Sequence, residues 1–250
     1  YANRDPRFYA TVYYNGSKRY CNWSTAAQKT SFENLGQGTG SMTRIITTWD
    51  AYQKEDGSIE NEAEPLMGRK VVGEKIRTNT RTGYYQRKFL HPNSGVEMRI
   101  QGARHKDYRL AEIYLNFAEA AMEANHSAEA ITYVNKVRAR VGMPGLPAGL
   151  TGDALRQRIH NERRVELALE GNRYFDVRRW HKPDEDLSDT DRWVTAAHIT
   201  HMNDGSYKYE RTTIKERQCY TNKWLKMPVP LSEVNNMRAI TGEDWQNPGW

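Results

Sequence analysis

Asn161-Glu-Arg-Arg-Val-Glu-Leu-Ala-Leu-Glu-Gly-Asn-Arg-Tyr-Phe-Asp-Val-Arg-Arg-Trp180 decides how this chain is read. A helix over residues 153 to 170 puts Glu162 and Glu166 one turn apart, with Leu155, Ile159, Val165 and Leu169 as its apolar positions. Gly171 stands where a left-handed residue ends a helix. A charge-paired turn then carries Arg173, Asp176, Arg178 and Arg179 among Tyr174, Phe175 and Trp180. Charges this dense beside aromatics are tolerated inside a protein only when paired. The stretch therefore predicts a buried structural network of Glu162, Glu166, Arg173, Asp176 and Arg179. In it, Glu162 or Glu166 pairs with Arg173, Arg178 or Arg179. Neighbouring guanidiniums lower a carboxylate pKa, the wrong direction for a general acid, so this pair predicts structure rather than catalysis.

Upstream, Asp107 is placed to cap a helix whose positions Leu110, Ile113, Tyr114, Phe117 and Ala121 share one face. Asn125-His-Ser127 reads as a turn. Ser127 then opens a second helix with Ile131, Val134, Val137 and Val141 on one face, closed by Gly142 and Pro144. Two helices so closely linked form an αα-hairpin, the unit of helical-repeat scaffolds. Residues 1–105 read as loop-rich with short strands, at Phe8–Tyr14 before an Asn15-Gly16 turn, near Ile45-Ile46, and at Gly83–Phe89. Residues 181–222 read as irregular. Pro228 and Pro230 enforce extended backbone, Ser232 caps a short helix, and Trp180, Trp224, Trp245 and Trp250 are expected in the core. The fold class is mainly α, with a tetratricopeptide-like helical hairpin, long irregular loops and a few short strands. One domain over 1–250 is expected, made of a loop-rich 1–105, a helical 106–180 and a C-terminal 181–250.

Lys and Arg number 37 against 31 Asp and Glu, a net charge of +6. The basic residues are interleaved with acids rather than gathered in a block, which argues against nucleic acid as a partner. No run of apolar residues is long enough for a membrane-spanning helix. Cys21 and Cys219 fit one disulfide or two free thiols.

Catalytic patterns are missing. There is no Gly-x-Ser-x-Gly elbow and no His-Glu-x-x-His motif, and Glu123-Ala-Asn-His126 has no second copy for a di-iron site. Gly36-Gln-Gly-Thr-Gly40 has its third glycine one position too early for a dinucleotide loop. His198 and His201 read as surface histidines. No catalytic residue, metal ligand or cofactor site is therefore assigned. Aromatics are abundant instead: 7 Trp, 15 Tyr and 5 Phe. Tyr20, Trp23, Trp49, Tyr52, Trp193, Tyr207 and Tyr209 fall where no core periodicity explains them. A Trp or Tyr ring offers an apolar face and a polar tip, which suits stacking on the C–H face of a sugar. Trp23, Trp49, Tyr52, Tyr20 and Trp193 are the candidate ligand-binding residues.

Four stretches, in order, resemble the SusD/RagB family: Asp5-Pro-Arg-Phe-Tyr-Ala-Thr11, Tyr108-Arg-Leu-Ala-Glu-Ile-Tyr-Leu-Asn-Phe-Ala-Glu-Ala120, the 161–180 signature, and Met227-Pro-Val-Pro230 through Gln246-Asn-Pro-Gly-Trp250. Gly83-Tyr-Tyr85 and Arg87-Lys88 fit as well. The likeness is to the C-terminal half of the family. It implies an N-terminal half of the same protein as a partner, with a lipid anchor upstream. It also implies a surface-exposed outer-membrane lipoprotein that binds oligosaccharides and hands them to a SusC-like TonB-dependent transporter. The alternatives are a helical-repeat interaction scaffold or a peptide-binding member of the family, with a glycoside hydrolase ranked behind both.

Overall fold

A computed structural model describes residues 1–20, 43–46, 48–61, 80, 82–90, 107–181, 192–217 and 222–250. The fold is mainly α, with few strands. The chain divides into two units, Tyr1–Glu170 with Ala197–Glu210, and Gly171–Ala196 with Arg211–Trp250.

The first unit opens with α1 (Pro6–Thr11), where a strand was expected. Asp5 caps it by accepting from the Arg7 backbone N–H, and Pro6 supplies a helix-ready φ at the first position. Only β1 (Val12–Tyr13) remains extended, and it pairs antiparallel with β6 (Tyr85–Gln86). The strand near Ile45 is β3 (Thr43–Ile45), paired with β2 (Lys18–Tyr20). Next come β4 (Ala51–Gln53) and β5 (Ile59–Asn61).

Three helices make the core: α2 (Leu110–Glu123), α3 (Ser127–Arg140) and α4 (Gly152–Glu166). The hairpin turn between α2 and α3 is a Schellman motif. Asn125 is left-handed (φ 65), and the His126 N–H reaches the Ala121 carbonyl at 2.8 Å. The buried face of α2 is rotated from the expected one, keeping Ala121 and, packed against the core, Tyr114. Leu115, Ala118, Ala121 and Met122 point inward, whereas Leu110, Ile113 and Phe117 are exposed. Small residues at 118 and 121 let α2 approach α3 and α4 closely, so the bulkier stripe falls on the opposite side. Ile131, Val134 and Val137 of α3 and Leu155 and Ile159 of α4 complete the core. Each fully buried Leu or Ile contributes about 1.5–3 kcal/mol.

Helix α4 ends at Glu166, four residues earlier than its periodicity suggested. Leu169 adopts a left-handed conformation (φ 65) and stays half exposed. Gly171 is left-handed (φ 86), but it opens a new helix, α5 (Asn172–Trp180), rather than a turn.

The region 181–222 holds the largest surprise. It contains β7 (Trp193–His201) and β8 (Tyr207–Glu216), and the sheet order is β5-β4-β7-β8. β4 runs parallel to β7, with Tyr52 opposite His201. Gly83 lies against β7. A Cβ there would sit 2.6 Å from the Ala197 carbonyl oxygen, and its φ is +77.

In the second unit, buried Asp176 accepts from Arg179 Nη2 at 2.8 Å. Arg178 lies over the Tyr174 ring at 3.4 Å, and Arg179 over Trp180 at 5.0 Å. The Gln246 amide holds both the N–H and the C=O of Val229, and α6 (Leu231–Thr241) follows. Trp224 meets Trp250 edge-on at 4.8 Å, but Trp245 and Trp250 are exposed rather than core residues.

Candidate functional site

Two constellations carry chemistry, and both lie in the first unit. The first is the charged cluster. Glu162 and Glu166 are buried on α4, with side chains 3% and 1% exposed. Their partners are not Arg173, Arg178 or Arg179 but four arginines from elsewhere in the sequence. Arg7 Nη1 donates to Glu162 Oε1 at 2.6 Å and to Glu166 Oε2 at 2.9 Å, while its other nitrogens hold Asp5. Arg138 Nη1 reaches Glu162 Oε2 at 2.6 Å. Arg109 Nη1 and Arg140 Nη2 reach Glu166 Oε1 at 2.5 Å and 2.8 Å. Arg109 also grips Glu170, at 2.7 Å from Nε and from Nη2.

Lys88 Nζ donates to the Glu166 and Ala168 carbonyls, at 3.0 Å and 2.9 Å, and to the Glu170 carboxylate. It thereby satisfies backbone acceptors that the helix end leaves open. Burial pushes the Glu166 carboxyl up, yet hydrogen bonds from Arg109 and Arg7 outweigh it and hold it below its ordinary value. Burial likewise opposes, and Arg109 and Lys88 overcome, in lowering Glu170. Each acid of the cluster accepts from at least one guanidinium, which suits a clamp and not a proton donor.

The second constellation is an aromatic tier. His201 stacks on Trp49 at 5.7 Å between ring centres, with planes 28° apart, and lies 5.0 Å from Tyr207. Tyr52 meets Trp49 at 6.4 Å, and Tyr209 follows Tyr207 at 6.5 Å. Tyr1 joins at 5.2 Å from Tyr209 and 4.6 Å from Tyr14, which leads to Phe8, Tyr9 and Tyr84. The strands explain the alignment. Tyr52 faces His201 across β4 and β7, and residues two apart on β8 share a face, so Tyr207 and Tyr209 extend one row. Tyr207 and Tyr209 keep exposed ring surface, and Trp49 and Tyr52 are partly buried. Polar groups border the row. The Tyr52 hydroxyl donates to Glu60 at 2.8 Å, and Glu60 pairs with Lys54. The Asn203 amide holds the Lys54 carbonyl.

Of the candidate ligand-binding residues, the fold brings Trp49 and Tyr52 together. Trp193 lies in the second unit, with the Arg192 guanidinium over its ring at 5.3 Å. Trp23 and the Tyr20 side chain, like Cys21 and Cys219, lie outside the described residues. His201, expected as a surface histidine, lies between Trp49 and Tyr207. The signal was present in the strand formers of Trp193-Val-Thr-Ala-Ala-His-Ile-Thr-His201 and the Asp204-Gly205 turn. Among the described residues, no group of three or more His, Cys, Asp or Glu forms a metal site, and no helix is long and apolar enough to cross a membrane.

The family model described as the SusD family matches residues 1–250. The chain belongs to the SusD family. It is 29% identical over 146 residues to SusD-like protein P25 of Formosa agariphila, covering 57% of this chain and 24% of that protein. SusD-like protein P2 of the same organism is 38% identical over 104 residues, covering 38% of this chain and 20% of the relative. A crystal structure of a SusD-like protein from Bacteroides fragilis matches with a TM-score of 0.66 at 25% identity, covering 100% of this chain and 39% of that one. BT4246 also gives 0.66, at 26% identity over 99% of this chain and 36% of its own. This chain thus spans well under half the length of the SusD-like proteins it matches. Members of the SusD family are generally non-catalytic surface lipoproteins that bind glycans for nutrient uptake.

Proposed function

We propose that this chain is part of a non-catalytic receptor of the outer-membrane surface, anchored by lipid, that captures oligosaccharide and hands it to a SusC-like TonB-dependent transporter. The observation carrying the reading is the row Trp49, His201, Tyr207 and Tyr209, with Tyr52 beside it. The ring centres follow one another at 5.0–6.5 Å, and the exposed rings of Tyr207 and Tyr209 are free to stack on a sugar, while Glu60, Lys54 and Asn203 offer hydroxyl partners. Glu60, the carboxylate bordering Tyr52 at the row's edge, is bonded to the Tyr52 hydroxyl and paired with Lys54, which supports binding without hydrolysis. Calorimetric titration with a panel of soluble oligosaccharides tests it. One of them should bind without new reducing ends appearing, and Trp49→Ala or Tyr207→Ala should each cost about 1–3 kcal/mol of affinity, as lost stacking does elsewhere. Release of reducing ends, or variants that bind as the parent does, rejects it.

A protein-interaction role is the second reading, carried by the exposed stripe Leu110, Ile113 and Phe117 on α2. Apolar side chains at this spacing suit the face of another helix, with the N-terminal half of the same protein as the proposed occupant. Phe117→Glu should abolish association with that half supplied as a separate polypeptide. Unchanged association rejects this assignment.

A further inference from the structure

A pocket of about 440 Å³ opens beside the charged cluster, lined by Pro6, Ala10, Phe89 and Val141 together with residues of the cluster, Arg140, Glu166 and Glu170 among them. That size holds a small ligand. Three observations bear on what would enter.

The first is charge. Among the described residues five cations, Arg7, Lys88, Arg109, Arg138 and Arg140, meet four carboxylates, Asp5, Glu162, Glu166 and Glu170, an excess of one positive charge in the cluster. The second is where that charge is available. Arg7, Arg109 and Lys88 direct most of their donors at the four carboxylates and two carbonyls. Arg140 makes one hydrogen bond among the described residues, Nη2 to Glu166, and its side chain is 57% exposed. Its remaining N–H groups form the planar fork that carboxylates match. The third is the rim. Phe89 is exposed with φ 70, a left-handed conformation that a bulky residue rarely adopts. The Leu90 N–H bonds the Arg87 carbonyl at 3.1 Å, which places Phe89 at the turn position where glycine is usual. The turn therefore leaves a partly exposed aromatic ring in the pocket wall, with Lys88 Nζ 5.8 Å from its centre.

We infer that this pocket binds a singly charged carboxylate carried on a body with an apolar face, the carboxylate on Arg140 and the body against Phe89, Val141 and Pro6. The inference stands apart from the aromatic tier and does not depend on it. A sugar acid and an aliphatic acid share this chemistry, and the experiment separates them. The whole chain is titrated calorimetrically with glucuronate against glucose, and with hexanoate against hexanamide. The acid of at least one pair should bind and its uncharged counterpart should not. Arg140→Gln should weaken that binding about tenfold, the cost of a charge-assisted hydrogen bond, and leave the melting temperature nearly unchanged. Phe89→Gly, which suits the backbone at that position, should weaken binding without loss of stability. Tight glucuronate alone names a sugar acid, and tight hexanoate alone an aliphatic one. Neither acid binding better than its uncharged partner, or Arg140→Gln binding as the parent does, overturns the inference.

Discussion

Glu166→Gln keeps the shape of the side chain and removes one charge from the buried cluster. Three guanidiniums contact that carboxylate, from Arg7 at 2.9 Å, Arg109 at 2.5 Å and Arg140 at 2.8 Å, so the substitution leaves five cations facing three carboxylates. The amide oxygen still accepts, but the amide nitrogen now points a donor at guanidinium donors. Removing one partner of a buried ion pair typically costs about 3–5 kcal/mol. The retained acceptor puts this variant at the lower end, about 3 kcal/mol. For a chain of this size that lowers the melting temperature by roughly 6–12 °C. Far-UV circular dichroism during heating measures it. Arg140→Gln is the internal control, because an exposed partner contributes about 0–1 kcal/mol. A Glu166→Gln melting temperature within about 2 °C of the parent, the scale of a surface change, refutes the clamp.

Acid should weaken the same cluster. Glu166, Glu170 and Asp5 all have folded-state pKa values below their ordinary ones, so their stabilisation is full above the ordinary carboxylate range and fades as pH falls through it. Melting temperatures should therefore drop from about pH 4 downward, less steeply in Glu166→Gln; parallel curves for the two proteins contradict this. Gly83→Ala should destabilise by about 1–3 kcal/mol, since the new Cβ meets the Ala197 carbonyl at 2.6 Å in a left-handed backbone, and a denaturant midpoint equal to the parent's counts against it. Ile159→Ala, at a fully buried α4 position, should cost about 2–5 kcal/mol in urea unfolding, whereas Ile113→Ala on the exposed face of α2 should change little.

The three core helices were legible because their apolar spacing and their glycine and asparagine punctuation are local. The orientation of α2 was not. Leu110, Ile113 and Phe117 look more hydrophobic than Ala118, yet close packing of helices rewards small residues, and only the neighbours reveal that. Burial of Glu162 and Glu166 was readable from their arginine-rich surroundings. Their partners lie as many as 159 residues away, beyond any sequence periodicity. The aromatic tier was half visible for the same reason. Trp49 and Tyr52 stood out as rings without a core pattern, while His201 acquires meaning only when β7 pairs with β4.

The order of charges along the chain has a consequence for its synthesis. Arg7, Lys88, Arg109, Arg138 and Arg140 all precede the glutamates of α4 and its end. A chain emerging from its N-terminus therefore carries these five bases as hydrated, mutually repelling cations, with Asp5 alone of their four acidic partners already made. Until Glu162, Glu166 and Glu170 are made, the ion pairs that join α1, the β6 loop, Arg109 and α3 to α4 and its end cannot close. The last helix of the layer thus brings, with the residue just past its end, the carboxylates on which the earlier elements close.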